Sequence, residues 1–212
     1  MISNQVRLQL DELNEQYHST FEKEEIVFGD GCITSPLVIV GEAPGKDEVA
    51  QGKPFVGSAG KNLQEFMNTI GLTRDAVYIT NTIKYRLGRI NEKTKRLINR
   101  PATKNDIINN QPWLHKEIIL LCPKIIVTLG NVPLKAVTND YNASIGEMHG
   151  ILHTCRISEA EYKLFPLYHP ASIIYNRALK EVYNQDMLRL KEIFAALETD
   201  NQTVTKIWNK LQ

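Results

Sequence analysis

The sequence predicts an α/β fold of three layers, α/β/α, built on a central, mainly parallel sheet of four strands. Two observations carry this. Short apolar runs rich in β-branched residues alternate with amphipathic stretches long enough to be crossover helices. The first of these runs, Leu37-Val38-Ile39-Val40, is followed at once by a segment, 41–60, with five glycines and two prolines in twenty positions. Such a segment suits neither a helix nor a strand interior. It describes a rigid loop at the carboxyl end of a buried strand, where open α/β sheets bind their ligands.

The elements follow in order. Val6 to Leu13 has the apolar spacing of a helix. Ala59 to Ile70 puts Leu63, Phe66, Met67 and Ile70 on one helical face, with Gly71 as its stop. Val77-Tyr78-Ile79-Thr80-Asn81 reads as the second strand. A polar stretch, 86–104, leads into a helix ending near Leu121. Lys124 to Gly130 is the clearest core strand, followed by a short helix from about Val132. Leu164-Phe165-Pro166-Leu167-Tyr168 reads as a fourth strand, and its proline suggests an edge position or an irregularity. Arg177 to Leu197 lacks glycine and proline and reads as an amphipathic helix.

At 212 residues the chain suits one domain with a well-buried core, and it is read as one domain over 1–212. Apolar residues are 42% and charged residues 23%, with a net charge of +1, so no global basic field announces a nucleic acid. There is no apolar run long enough to span a bilayer and no apolar signal-peptide core at the start, which points to a cytoplasmic protein without membrane contact. Cys32, Cys122 and Cys155 are odd in number and lack CxxC spacing, which argues against a disulfide framework or a cysteine-based zinc site.

Three polar residues stand at the carboxyl ends of three expected strands: Glu42, Asn81 and His169. In a parallel sheet those ends share an edge, so the three can converge. Singly each is a weak signal: an Asn at a strand end is usually a cap or turn residue, and a lone His before a Pro is more often structural. Eight Lys or Arg residues lie between Lys84 and Lys104, with Glu92 as the single acid inside that stretch. Such a run is either a solvated loop or a phosphate-binding surface. Its position directly behind Asn81 favours phosphate contact by Lys84, Arg86, Arg89, Lys95, Arg96 and Arg100.

The run GEAPGKDEVAQGKPFVGSAGKNL, the segment VYITNTIKYR, the strand PKIIVTLG and the segment HPAS resemble the family 4 uracil-DNA glycosylases. The likeness extends from about Leu37 to the last helix. It implies a monofunctional DNA glycosylase of base-excision repair, hydrolysing the N-glycosidic bond of uracil in DNA and acting as a monomer in the cytoplasm, at the nucleoid. Through it Phe55 looks like the ring that stacks on a flipped-out uracil. Asn81 looks like the carboxamide reading the base's O4 and N3 edge, and His169 like the donor to O2. Glu42 matches the carboxylate that orients water or stabilises the sugar cation. Glu48 matches a second acidic position facing the base, and Gly41 lets the main chain approach it. Ser172, in the HPAS segment, is placed with the DNA contacts.

The chain departs from that family in three places. Members carry a [4Fe-4S] cluster on four cysteines; the matching positions here are Tyr17, Thr20, Tyr85 and Asn110, so no cluster or other metal is expected. Tyr85 and Trp113 are then candidate fillers of the gap. The loop over 86–104 loosely resembles that of the UdgX subclass, but Asn99 stands where its covalent histidine would fall, so no covalent trapping is expected. Tyr175 stands where an arginine commonly follows the HPA motif, with Arg177 two positions later as a substitute. Two rivals remain open: a DNA-binding or damage-recognising protein that has lost catalysis, and a hydrolase or glycosylase for another deaminated base or a nucleoside.

Overall fold

The computed structural model describes residues 2–176 and 178–210. Arg177 and the side chain of Tyr175, the candidates for the arginine position, lie outside the described residues. In chain order the elements are α1 (Ile2–Thr20), β1 (Asp30–Gly31), β2 (Leu37–Gly41), α2 (Lys46–Gln51) and α3 (Ser58–Thr69). A single 3-10 turn, Arg74–Ala76, leads to β3 (Tyr78–Asn81), β4 (Gly88–Ile90) and β5 (Leu97–Asn99). The remainder is α4 (Lys104–Leu121), β6 (Ile125–Leu129), α5 (Asn131–Thr138), α6 (Ile145–Met148), β7 (His153–Ile157), β8 (Ala160–Leu167), α7 (Pro170–Tyr175) and α8 (Leu179–Lys210).

The central sheet has six strands rather than the expected four, in the order β1-β3-β2-β6-β8-β7. The four inner strands are those read from the sequence, and they pair in parallel. The two additions are antiparallel edges. β1 is only two residues long and pairs with β3 at Asp30↔Ile79 and Gly31↔Tyr78. β7 pairs with β8 through a tight turn, from Ile157↔Ala160 to His153↔Leu164. Its exposed–buried alternation is short and holds charged residues, which is why it lacked the apolar signature of the core strands.

β8 is therefore an interior strand, not an edge, in spite of Pro166. The reason is geometric. Pairing with β7 stops at Leu164, and beyond it the Pro166 carbonyl accepts a bond from Gly150 N–H at 2.9 Å on that side. The proline's missing N–H falls where no ladder partner needs it, and the ladder to β6 continues to Leu129↔Leu167.

The period-two pattern of the strands distributes the core into two layers. Leu37, Ile39, Ile125, Val127 and Phe165 face α3, α7 and α8, meeting Leu63, Phe66, Met67, Tyr183 and Met187. Val38, Val40, Ile126 and Leu164 face α1, α4 and α5, meeting Leu10, Leu114, Ile118 and Leu134. Helices thus cover both faces, as a parallel sheet requires.

The segment 86–104 is not simply a loop. Its middle folds into a separate two-stranded antiparallel hairpin, with Ile90↔Leu97 and Gly88↔Asn99 as facing pairs. Behind it α4 starts on a capping box: the Thr103 hydroxyl accepts from Asp106 N–H at 3.2 Å, and the Asp106 carboxylate accepts from Thr103 N–H at 2.7 Å.

One charged pair is sealed inside the fold. The Lys84 ammonium lies 2.7 Å from Glu117 Oε2, with both side chains almost wholly buried. Glu117 also accepts from Tyr78 Oη at 3.0 Å and from the Thr80 hydroxyl. Lys84 in turn donates to the Thr80 hydroxyl at 2.9 Å and to the Asn81 carbonyl at 3.0 Å. Removing one member of such a pair strands the other's charge, at a cost of about 3–5 kcal/mol. Glu117→Ala is expected to lose about that much in urea unfolding, and Lys84→Met in the same background to recover part of it. A loss under about 1 kcal/mol for Glu117→Ala contradicts the pairing.

Candidate active site

The site forms where the carboxyl ends of β2, β3 and β8 meet. Gly41, the last residue of β2, lies opposite Asn81, the last residue of β3, in the parallel register. The Thr82 N–H and hydroxyl both bond the Gly41 carbonyl, and Ile83 N–H bonds the Glu42 carbonyl, so the two strand exits stay joined. A Cβ on Gly41 would collide with Asn81 Oδ1 on one side and with the Phe55 ring on the other. Ring and carboxamide therefore approach each other across a bare Cα. The Phe55 and His169 rings are 6.0 Å apart between centroids and tilted by 33°. Gly41, Phe55, Asn81 and His169, named separately in the sequence, thus form one constellation.

Asn81 is 2% exposed, and its Oδ1 has no hydrogen-bond partner among the described residues. A buried, unbonded amide oxygen costs about 1–3 kcal/mol. Such a group invites a ligand that supplies the missing bond.

His169 caps α7. Its Nδ1 accepts from Ala171 N–H at 3.1 Å. With Nδ1 committed as acceptor, the neutral ring carries its proton on Nε2. Burial pushes the His169 pKa below 6.5, against the opposing charge of Glu48. The ring is thereby held as a neutral Nε2–H donor.

Glu42 is half-buried, and its Oε1 accepts from Ala102 N–H at 3.1 Å, at the root of the hairpin. Burial raises its pKa, the Ala102 bond opposes that, and the nearby charge of Asp106 adds to it. Glu48 serves the loop itself. Oε2 accepts from Gly45 N–H at 3.1 Å, and Oε1 accepts from Val56 and Gly57 N–H at 3.1 and 2.8 Å. Both of its oxygens are thus taken by main-chain amides around Phe55.

That clamp has an opposite number which sequence reasoning missed. Arg74 donates to the Phe55 carbonyl at 3.1 Å and to the Pro54 carbonyl, and lies 3.7 Å from Asp30. Phe55 itself sits at φ 53°, a left-handed conformation unfavourable for an aromatic residue. Glu48 on the amides and Arg74 on the carbonyls hold it there. Gly60 completes the fit, since a Cβ at that position would strike the Phe55 carbonyl. A lone arginine before a strand carries no sequence signal. Glu117 could have been found, because it shares the buried face of α4 with Leu114, Ile118 and Leu121.

The expected phosphate contacts divide. Arg89, Lys95 and Arg96 are exposed on the hairpin, and Arg86 is half-buried at its base, donating to Asn99 Oδ1 at 2.8 Å. Lys84 departs from expectation: its ammonium is buried against Glu117 and cannot reach a phosphate. Arg100 is also committed, in a two-pronged pair with Asp106 at 2.6 and 3.0 Å that depresses the Asp106 pKa. Ser172 is half-buried in α7, its N–H bonded to the His169 carbonyl at 2.8 Å.

Of the four positions matched to cluster cysteines, three meet in space. Tyr17 Oη donates to Asn110 Oδ1 at 2.5 Å and accepts from Lys84 N–H at 3.0 Å, while Asn110 Nδ2 reaches Tyr85 Oη at 3.4 Å. Phe21 and Trp113 flank Tyr17 at ring-centroid distances of 4.6 and 5.5 Å. The fourth, Thr20, is exposed and bonds back to the Gln16 carbonyl. Phenols and a carboxamide bonded to one another neither offer thiolates nor leave room for an iron–sulfur cube, so these residues do not fit that group. Among the described residues no three His, Cys, Asp or Glu side chains are grouped to hold a metal ion, and no helix is long and apolar enough to cross a membrane.

Residues 28–192 match the family model of the uracil DNA glycosylase superfamily. The type-4 uracil-DNA glycosylase of Sulfurisphaera tokodaii is 36% identical over 169 residues, covering 78% of this chain and 73% of that protein. That of Saccharolobus solfataricus is 34% identical, covering 82% and 78%, and that of Archaeoglobus fulgidus 33%, covering 81% and 83%. The chain belongs to the uracil-DNA glycosylase superfamily.

The bare Cα of Gly41 gives a direct test of the site. Gly41→Ala should drive Phe55 and Asn81 apart and lower kcat/KM on a uracil oligonucleotide by about 10²-fold or more, with the melting temperature nearly kept. Unchanged kcat/KM would show that the ring–carboxamide gap is not the reacting site.

Proposed function

We propose that the protein is a monofunctional uracil-DNA glycosylase, hydrolysing the bond between uracil N1 and deoxyribose C1′ and leaving an abasic site for base-excision repair. One observation carries the reading: the buried Oδ1 of Asn81, without a hydrogen-bond partner among the described residues and set against the Phe55 ring, which in turn neighbours the His169 ring. A flat, neutral imide suits that setting. Asn81 Oδ1 accepts from uracil N3–H and its amide group donates to O4, which completes the bond missing in the free protein. Cytosine offers an acceptor at N3 and an amine at position 4, so both contacts would be mismatched, at the cost of buried unsatisfied groups.

The chemistry follows from where charge develops. As the C1′–N1 bond breaks, its electron pair passes to the base, and negative charge gathers on O2. The Nε2–H of His169 donates to that oxygen without giving up its proton. The sugar becomes cationic at C1′, where the Glu42 carboxylate stabilises it and orients water for attack. Water oxygen bonds to C1′, its surplus proton leaves through the carboxylate, and uracil departs as the anion to be protonated in solvent. The base reaches the pocket only when flipped out of a duplex or taken from a single strand, as for base-modifying enzymes in general.

Phosphate contact is assigned to the exposed Arg89, Lys95 and Arg96, with Arg86 at the hairpin base. Glu48 and Arg74 act as positioning residues for Phe55. Activity requires no iron–sulfur cluster, since Tyr17, Asn110 and Tyr85 already join α1, α4 and the strand exit directly. The protein acts as a monomer, in one domain, on DNA in the cytoplasm.

The assay is uracil release from a single-uracil oligonucleotide in EDTA, read as alkali-sensitive strand cleavage. Cleavage is expected, and its absence on both single- and double-stranded substrate would refute the reading. His169→Ala is expected to lower kcat by about 10²–10³-fold, the usual loss of one oxyanion donor. Metal analysis and absorbance near 400 nm check the cluster: iron bound in proportion to protein contradicts its dispensability.

The pH dependence has a defined window. The Glu42 pKa is raised from 4.5, and that of His169 lowered from 6.5. His169 is then neutral above 6.5, and Glu42 loses its working, ionised state at a higher pH than an ordinary glutamate does. Uracil release is therefore expected to fall on the acid side as Glu42 takes a proton, with a midpoint above 4.5. A kcat/KM profile whose acid midpoint lies at or below 4.5 would contradict this.

A further inference from the structure

The hairpin of β4 and β5 carries more than charge. Ile90 and Leu97 face each other across it and are 60% and 47% exposed. Facing residues of an antiparallel pair project from the same side, as do residues two apart along a strand. Ile90, Leu97, Gly88 and Asn99 thus share one face. That face is the one turned to the pocket: Asn99 Nδ2 is 3.6 Å from the Cβ position of Gly45, in the glycine-rich loop behind β2. At the same root, Ala102 N–H bonds Glu42. The apolar pair stands one register step further out, about 7 Å along the strands.

Two large aliphatic side chains on a solvent-facing hairpin need a cover. The surrounding charge says which. Lys93 and Lys95 are exposed in the turn beyond the apolar pair, and the exposed Arg89 and Arg96, one step out of register with it, project from the opposite face, with Glu92 as the single acid of the hairpin. An apolar face bordered by a cationic turn and backed by further cations repels a basic partner and suits a polyanion whose interior surfaces are apolar. DNA with unstacked bases is such a polymer, and aliphatic wedges are a recurring way of occupying a disrupted base step.

We propose that Ile90 and Leu97 pack against the unstacked bases of the uracil-bearing strand next to the flipped nucleotide, while the flanking cations hold that strand's phosphates. The proposal rests on the glycosylase reading for the identity of the flipped base. It adds that affinity near the uracil is partly apolar and supplied by the hairpin.

The test separates apolar from ionic contact. Ile90→Ser/Leu97→Ser is compared with Lys95→Ala/Arg96→Ala and the parent, by fluorescence anisotropy with a labelled single-stranded oligonucleotide carrying 2′-fluoro-2′-deoxyuridine, which resists cleavage. The serine variant is expected to bind about 10-fold more weakly with the salt slope unchanged. The alanine variant should lower the slope by about 1.4, since each neutralised phosphate of a single strand contributes about 0.7. A 2-aminopurine beside the uracil analogue should lose its binding-induced fluorescence change in the serine variant alone. Affinity within 2-fold of the parent, or loss accompanied by a lower slope, overturns the proposal. Ile90→Thr/Leu97→Thr, which favours the strand, must give the same loss; retained affinity there assigns the serine effect to hairpin unfolding and overturns the proposal as well. Uracil release by the parent is measured separately. Its absence sinks the glycosylase reading while the anisotropy pattern still decides the hairpin's role.

Discussion

The parallel register that sets Gly41 opposite Asn81 is the constraint on which the rest of the site depends. Every inner strand ends at the same edge of the sheet, and that edge is where main-chain groups give way to side chains. The absence of a Cβ at Gly41 brings an aromatic ring and a carboxamide together that are twenty-six positions apart in the chain. Slipping the register by one residue would exchange the two faces of β3, taking Asn81 away from Phe55 and turning Tyr78 and Thr80 from Glu117 into the apolar α3–α8 layer. The same register therefore selects both the core and the chemistry.

Charge is apportioned by depth. Lys84 and Glu117 lie beneath the site, and their bonds to Thr80 and to the Asn81 carbonyl fix the exit of β3. Arg74, Glu48, Arg100 and Asp106 form an intermediate tier that shapes loops and helix starts. The unengaged cations lie outermost, on the hairpin. Cations adjacent in sequence thus have unrelated duties, and Lys84 and Arg86 differ more than their two-residue spacing suggests.

The inner sheet was legible because buried parallel strands are continuous apolar runs, and the site because glycine-rich loops at strand ends are unusual. Asn81 meets Phe55 across Gly41 where two parallel strands end, as that topology allows. What escaped was structure whose signal is weak or tertiary. β1 is two residues long, and β7 and the hairpin have no uniform apolar run. Pro166 argued for an edge because no local pattern reveals that β7 ends at Leu164. The burial of Lys84 depends on Glu117, thirty-three residues away, and Arg74 acts only on backbone atoms. Tyr17, Tyr85 and Asn110 could be named from the pattern of missing cysteines, but their direct bonding to one another is a fact of the folded chain.

The bond from Ala102 N–H to Glu42 ties proton affinity to the geometry of the polymer site. It opposes the effect of burial on that carboxylate, and it arises from the segment joining the hairpin to α4. Any shift of that segment on binding DNA alters how readily Glu42 takes a proton. Linkage is reciprocal, so protonating Glu42 must then alter the affinity for DNA by the same factor. A substrate seated in a way that preserves the bond meets a carboxyl whose proton affinity that bond lowers, while one that breaks it meets a carboxyl more readily neutralised. Through a single hydrogen bond, the way the strand is seated becomes a condition on the charge of Glu42.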